Sequence, residues 1–228
     1  MIHNILRGIP VGPDIWGGGV AADDLPFDAW IAAMTQAEAA VSLANGTTEP
    51  TWRAGFEVRV DEEPLGVIDE LLKACSGDLS NTGGTWTIRI GAPALPVLSI
   101  SDDDIIITED QQLDPFPGLD ATFNGVTAQY PEPVSLYQSR EAPPRFNAGW
   151  EDDDGNRRLV ADLSLPAVPF ANQVQRLMRA YIEDERRFIR HTLTLPPSAI
   201  QLEPLDTIAW TSARNGCLQR NAVGKQCR

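Results

Sequence analysis

Histidine, cysteine and basic residues are scarce in this 228-residue chain, and each scarcity excludes something. There are two histidines, His3 and His191, so a Ser-His-Asp arrangement would have to use one of them as its base. No Gly-x-Ser-x-Gly elbow supplies a nucleophile for it. Three cysteines at unrelated spacings give neither a disulfide framework nor a structural zinc pattern, and fit a chain made in a reducing cytoplasm. Lys and Arg number 18 against 32 Asp and Glu, a net charge of -14. A surface this acidic repels phosphate backbones and anionic lipid heads, which argues against sequence-specific nucleic-acid binding. No apolar run approaches the roughly 20 residues of a membrane helix, so no membrane span is expected. The start, Met1-Ile2-His3-Asn4, has no basic segment before an apolar stretch, and no secretory signal is expected.

What is present is a length sufficient for one large or two small domains, an ordinary apolar fraction of 43%, and 18 prolines set between periodic segments. That pattern predicts many short strands with stiff connections. Residues 1–24, dense in glycine and proline, read as a loop. Gly17-Gly18-Gly19 has no Lys-Ser or Lys-Thr after it and makes no phosphate cradle. A helix is predicted over 26–41, capped by Asp24, with Phe27, Trp30, Ile31, Met34, Ala37 and Val41 on its buried face.

The most legible stretch is 49–108. Trp52, Ala54, Phe56, Val58 and Val60 alternate with Arg53, Glu57, Arg59 and Asp61, predicting a half-buried strand. A helix over 64–75 puts Leu65, Ile68, Leu71, Leu72 and Cys75 on one face, and Gly77 is expected to end it in a left-handed conformation. A Gly83-Gly84 turn leads into a strand over 85–90 that points Trp86, Ile88 and Ile90 inward. Further strands are expected at 105–108, 122–130 and 159–165, a long helix at 172–187 with Val174, Leu177, Met178, Tyr181 and Ile182 buried, and closing strands at 191–195 and 207–211. The expected division is 1–48, a Gly/Pro-rich segment plus helix; 49–108, a strand-helix-strand module; 109–214, a second β-rich module; and 215–228, a basic disordered tail with Arg220, Lys225 and Arg228.

No side chains converge on chemistry. The run Glu151-Asp152-Asp153-Asp154-Gly155 invites a calcium loop, but alignment places Trp150 and Ala161 where the first and last acidic ligands belong. A solvated turn is the reading kept, and Asp102 to Asp104 is likewise a charged turn before a strand. Cys75 on an apolar face reads as a buried thiol rather than a nucleophile, His191 as a core or rim residue, and Cys217 and Cys227 as free thiols. Paired-carboxylate hydrolysis stays open on 32 acids, none of which stands out as a pair. No catalytic residue, metal or cofactor is assigned.

An ordered series of short motifs carries a resemblance. It runs through Pro50-Thr51-Trp52, the helix from Leu65 to Cys75 stopping at Gly77, Gly83-Gly84-Thr85-Trp86 with Gly91, and Pro96-Val97-Leu98 before Asp103-Asp104-Ile105. It continues through Phe123-Asn124-Gly125-Val126 with Tyr130, Ala161 to Pro166, Gln175-Arg176-Leu177 and the Leu205-Asp206 turn. Over roughly residues 20–214 the chain resembles the central hub region of phage tail-tip proteins, the group of the tip attachment protein J of lambda-like siphophages and the largest tail protein of gene transfer agents. The resemblance implies an α+β, β-rich fold of small antiparallel β-barrel or sheet modules with helical insertions. It implies a non-enzymatic structural subunit of the tail tip or baseplate hub, located in the virion after assembly in the host cytoplasm. It also implies a homo-oligomer, expected to be a trimer around the tail channel, that meets the distal tail protein, the tail tube and fibre or tip proteins. Family members are several times longer and end in receptor-binding domains, so a split or truncated hub subunit is expected. Of the six tryptophans, Trp16 and Trp150 lie in predicted loops and are the candidate interface anchors, with packing on their own loops as the alternative. The competing functions are a tail-borne cell-wall hydrolase and a receptor-binding or adhesin module.

Overall fold

A computed structural model of the chain describes residues 1–91, 95–114, 118, 121–186, 190–213 and 217–221. The expected opening loop is folded. Helix α1 (Ile2–Arg7) buries Ile2, Ile5 and Leu6, and a small hairpin follows, β1 (Ile9–Val11) with β2 (Asp14–Trp16). Apolar side chains at i, i+3 and i+4 make one helical face even in so short an element, and the surrounding glycines masked that signal.

Helix α2 (Phe27–Glu38) begins at Pro26, with no side-chain cap from Asp24. Its predicted apolar face is split. Trp30 and Ala33 are buried, whereas Phe27, Ile31 and Met34 stand 73%, 42% and 55% exposed. Val41 belongs to β3 (Ala40–Ser42), which pairs with β4 (Thr48–Pro50).

The predicted strand at 52–60 is a correction: these residues form no ladder. The alternation is nonetheless real, because Trp52, Ala54, Phe56 and Val58 pack on the core while Glu57 and Arg59 face solvent. The backbone hydrogen bonds go elsewhere. Arg53 N–H donates to the side-chain oxygen of Gln173 at 3.0 Å, and Gly55 N–H to the Ala167 carbonyl at 2.9 Å. A period of two reports which side chains turn inward, not what the backbone pairs with.

Helix α3 (Pro64–Lys73) buries Val67, Ile68 and Leu71, so its face lies rotated from the predicted one and Leu65 is 53% exposed. Ser76, not Gly77, takes the left-handed conformation after it. Gly77 is there for space, since a Cβ would sit 2.8 Å from the Cys75 sulfur and 3.0 Å from the Arg89 carbonyl. It opens β5 (Gly77–Thr82), a polar strand with no sequence signal, which pairs with β6 (Thr85–Ile90). Gly83 and Gly84, at φ 62° and 100°, form the two-residue turn. Ile90 is buried and Trp86 and Ile88 pack on the core, as expected.

Strand β7 (Leu98–Ser101) leads into a 3-10 turn at Asp102–Asp104, where Ser101 and Asp104 cap each other reciprocally. The acids are a turn, but no strand occupies 105–108, and Ile107 is 70% exposed. After β8 (Gln112–Asp114) comes β9 (Gly125–Glu132), the central strand of a four-stranded sheet. It has β10 (Gln138–Glu141) and β11 (Arg145–Phe146) antiparallel on one side and β12 (Val160–Ser164) parallel on the other. Between them sits α4 (Ala148–Asp153), whose first turn is capped by the Asn147 side chain. Helix α5 (Ala171–Glu185) packs on β9 and buries Gln173, Val174, Leu177, Met178 and Ile182.

The chain closes with β13 (Arg190–Thr192) against β8, and with β14 (Ile208–Ser212) between β7, parallel, and β15 (Cys217–Asn221), antiparallel. The expected disordered tail is thus corrected over 217–221, which are an edge strand; Lys225, Cys227 and Arg228 lie outside the described residues. One core runs from α1 to α5, and a smaller one gathers Ile100, Ile105 and Trp210. The class is α+β with small, mostly antiparallel sheets, and no closed barrel forms among the described residues.

Candidate functional site

The short motifs spread along the sequence meet in space, two by two. Arg176 donates to the Thr51 carbonyl at 2.9 Å and to Glu49 at 2.6 Å, tying Gln175-Arg176-Leu177 to Pro50-Thr51-Trp52. Arg53 takes the other oxygen of Glu49 at 2.6 Å, so this largely buried carboxylate is clamped between two guanidiniums. Phe123-Asn124-Gly125-Val126 lies beside Ala161 to Pro166 through the parallel pairing of β9 and β12. Pro96-Val97-Leu98 joins the strand after Leu205-Asp206, with Val97 N–H on the Thr207 carbonyl at 2.8 Å. These residues act as joints between distant parts of the chain.

Two buried polar side chains carry the most demanding joints, and neither was singled out for this role in the sequence. Gln173, fully buried on α5, accepts from Arg53 N–H and donates to the Arg53 and Ala74 carbonyls, both at 2.8 Å. It thereby supplies the hydrogen bonds that a partner strand would have given Arg53. Its sequence signal is a polar residue on the apolar face of a helix.

Asn124, 1% exposed, donates to Asp154 at 2.8 Å and to the Arg157 carbonyl at 2.6 Å, and accepts from Leu159 N–H at 2.9 Å. Arg186 brackets both oxygens of Asp154 at 3.1 and 3.0 Å. The acidic run is therefore no uniformly solvated turn: its last carboxylate, 12% exposed, is held in an Asn-Asp-Arg knot. Within the run, Asp152 and Asp153 are exposed, as a solvated turn requires, and only Asp154 is engaged. Among the described residues no group of three or more His, Cys, Asp or Glu is placed to hold a metal.

Trp150 lies in α4 rather than in a loop, its ring 5.1 Å from the Arg186 guanidinium. Trp16 ends β2 and donates its indole N–H to the Glu62 carbonyl at 3.0 Å. Both rings are half-buried against the main core. The two histidines sit edge-on against tryptophans, His3 on Trp30 and His191 on Trp210, and burial lowers the His191 pKa.

Two hollows gather carboxylates. One, of about 530 Å³, is lined by Asp69, Lys73, Asp78 and Asp184 among others; the other, of about 340 Å³, has Glu141 and Asp162 on the outer face of the β9 sheet. Both are open to solvent.

Cys75 donates to the Leu71 and Leu72 carbonyls at 3.4 Å, and burial pushes its thiol up to about 12. The thiolate is the reactive form, so Cys75 should resist a disulfide reagent at pH 8 in the folded protein and react at once in denaturant. A thiol count by absorbance checks this. The pH sign follows: the folded state holds its proton to higher pH than the unfolded one, so stability is full below about 9 and declines as pH climbs toward 12. The side chain of Cys217 and all of Cys227 lie outside the described residues.

Residues 63–223 match the model of a family described as "Putative phage tail protein". No curated protein matches the chain. Among solved structures, similarity is found to the 43 kDa tail protein of prophage MuSo2 from Shewanella oneidensis, at 13% identity and TM-score 0.44, over 73% of this chain and 47% of that one. Similarity is also found to the tail protein from Neisseria meningitidis MC58, at 11% identity and TM-score 0.48, over 76% and 52%. The chain spans about half the length of these two proteins.

Proposed function

The chain belongs to this family of phage tail proteins, and from that premise we propose that it is a structural subunit of the tail tip or baseplate hub. In this reading it assembles as a homotrimeric ring around the tail channel. The ring joins the tail tube and distal tail protein to fibre or tip proteins and stays with the virion after assembly in the host cytoplasm. Trp16 and Trp150 anchor contacts with neighbouring subunits through the part of each ring left exposed.

One observation carries the reading: large apolar side chains stand outside on ordered elements of a strongly acidic chain. Phe27, Ile31 and Met34 on α2, and Val134, Leu136 and Tyr137 beyond β9, are between 42% and 91% exposed. A lone soluble subunit gains nothing from such patches, whereas neighbours in an assembly cover them. The tryptophans, the clamped Glu49 and the Asn124 knot stiffen the body between them.

Disrupting the gene in the encoding genome tests the role. Electron microscopy of the resulting lysate should show heads without complete tails, with wild-type particles restored by the gene supplied in trans. Normal tailed, infectious particles without the chain would remove the proposal.

A further inference from the structure

An asparagine followed by glycine is prone to lose its side-chain amide in water, because the glycine nitrogen has no neighbouring side chain to keep it from the asparagine Cγ. The chain has three such pairs, Asn45-Gly46, Asn124-Gly125 and Asn215-Gly216, and the last lies outside the described residues. The fold treats the other two in opposite ways.

Asn124 is locked. Its Nδ2 donates to Asp154 at 2.8 Å and to the Arg157 carbonyl at 2.6 Å, and its Oδ1 accepts from Leu159 N–H at 2.9 Å. The Gly125 nitrogen, which would have to attack, opens β9, and its N–H donates to the Leu159 carbonyl at 3.0 Å. A Cβ on Gly125 would fall 2.5 Å from the Phe146 ring, which shows how little room is left around it. Ring closure here would break the knot and the start of the sheet together.

Asn45 lies in the turn of the β3–β4 hairpin, exposed to solvent. Leu43 N–H on the Thr47 carbonyl at 2.8 Å and Gly46 N–H on the Leu43 carbonyl at 3.0 Å close that turn, with Gly46 left-handed at φ 81°. Thr47 donates twice to the Asn45 Oδ1, from its N–H at 3.0 Å and its hydroxyl at 2.7 Å. Both bonds go to the oxygen that the reaction keeps, and both draw electron density from the carbon under attack. No described residue holds the Asn45 Nδ2, the nitrogen that must leave. A Cβ on Gly46 would meet nothing within 4 Å. The bond that has to open first, Gly46 N–H to the Leu43 carbonyl, sits in an exposed turn, where local opening is cheap.

We propose that Asn45 is a self-modifying site, converted in the folded chain to aspartate and isoaspartate while Asn124 is preserved. Hydroxide takes the Gly46 amide proton, and the nitrogen forms a bond to the Asn45 Cγ. The Cγ–Nδ2 bond breaks, and the amide nitrogen leaves as ammonia with a proton from water. Water then opens the cyclic imide at either carbonyl. One opening gives aspartate; the other gives isoaspartate, which routes the main chain through Cβ and lengthens the turn by one atom. Either product adds a negative charge. The change stays within the turn, because the hairpin is anchored at Glu49, paired with Val41 and clamped by Arg53 and Arg176. The reaction needs only water and the folded chain, so it stands whatever the role of the chain in a tail.

The full chain is incubated in mildly alkaline buffer, native and in guanidinium chloride, then digested briefly with trypsin at mildly acidic pH and weighed by mass spectrometry. Peptides 8–53 and 90–140 each contain a single asparagine, Asn45 and Asn124. Unchanged circular dichroism shows that the native sample stays folded. In that sample 8–53 should give two separable products of one mass, that of an acid in place of an amide, at a rate proportional to hydroxide. Peptide 90–140 should convert at least about tenfold more slowly, since its attack waits on a larger opening of the structure. In guanidinium chloride 90–140 should lose this protection and keep pace with 8–53. Asn45→Gln should abolish the change in 8–53, because glutamine has to close a larger, slower ring. A native 8–53 that stays intact while its denatured counterpart converts, or a native 90–140 that keeps pace with 8–53, overturns the proposal.

Discussion

Replacing Gln173 with leucine should lower the unfolding free energy by about 3–5 kcal/mol, with little change in the denaturant slope. The side chain is fully buried and serves three backbone groups: Arg53 N–H, the Arg53 carbonyl and the Ala74 carbonyl. A leucine fills the volume and serves none of them. Each orphaned buried group costs about 1–3 kcal/mol, and the sum is reduced where the chain shifts to admit water. Gln173→Glu should be nearly as damaging, because it keeps the acceptor and loses both donated bonds. The 52–60 segment should loosen first, visible as faster amide exchange at Arg53. Urea unfolding that moves by less than about 1 kcal/mol would mean the segment is held by its apolar side chains alone.

Asp154→Ala should cost a similar amount, about 3–5 kcal/mol, by removing the carboxylate from a largely buried pair. The Asp154 and Arg186 side chains are 12% and 9% exposed, and Asn124 donates to the same carboxylate. The loss should change little with added salt, because the pair is shielded from solvent ions. Arg186→Ala combined with Asp154→Ala should cost less than the two single losses added together, since the double variant leaves neither charge behind. Strict additivity in urea unfolding would show that the two groups do not stabilise each other. Lys73 with Glu70 is the contrast: an exposed pair three residues apart on α3, worth about 0.5 kcal/mol or less.

Local periodicity carried the parts of the fold that it can carry. Helix α5, helix α3 and strand β6 were legible because their apolar spacing needs no knowledge of a partner. The parallel pairings of β9 with β12 and of β7 with β14 were not, since register across such distances is set by tertiary packing. Strands β5 and β15 were missed for the same reason: their sequences are polar, and ladders with β6 and β14 define them. The segment 52–60 failed instructively. Its side chains alternate as in a strand, but its main chain bonds to the Gln173 side chain and to the Ala37 and Ala167 carbonyls instead of to a neighbouring strand.

Among the candidate interface residues, Trp16 and Trp150 were chosen as loop tryptophans, and the fold puts both against the core. Leu136 and Tyr137 had no comparable signal, because a left-handed φ at leucine and tyrosine is not written in residue type. The exposed side of α2 was hidden by its own periodicity. Phe27, Ile31 and Met34 continue the stripe of Trp30, and only the packing of α2 on β6 shows which of them stay outside.

Electron cryomicroscopy of tails purified from particles that carry a small tag on this chain bears most directly on its role. A ring of three tagged copies at the distal end of the tail tube is the expected image. Tag density repeated along the tube, or tails with none, would contradict a hub subunit.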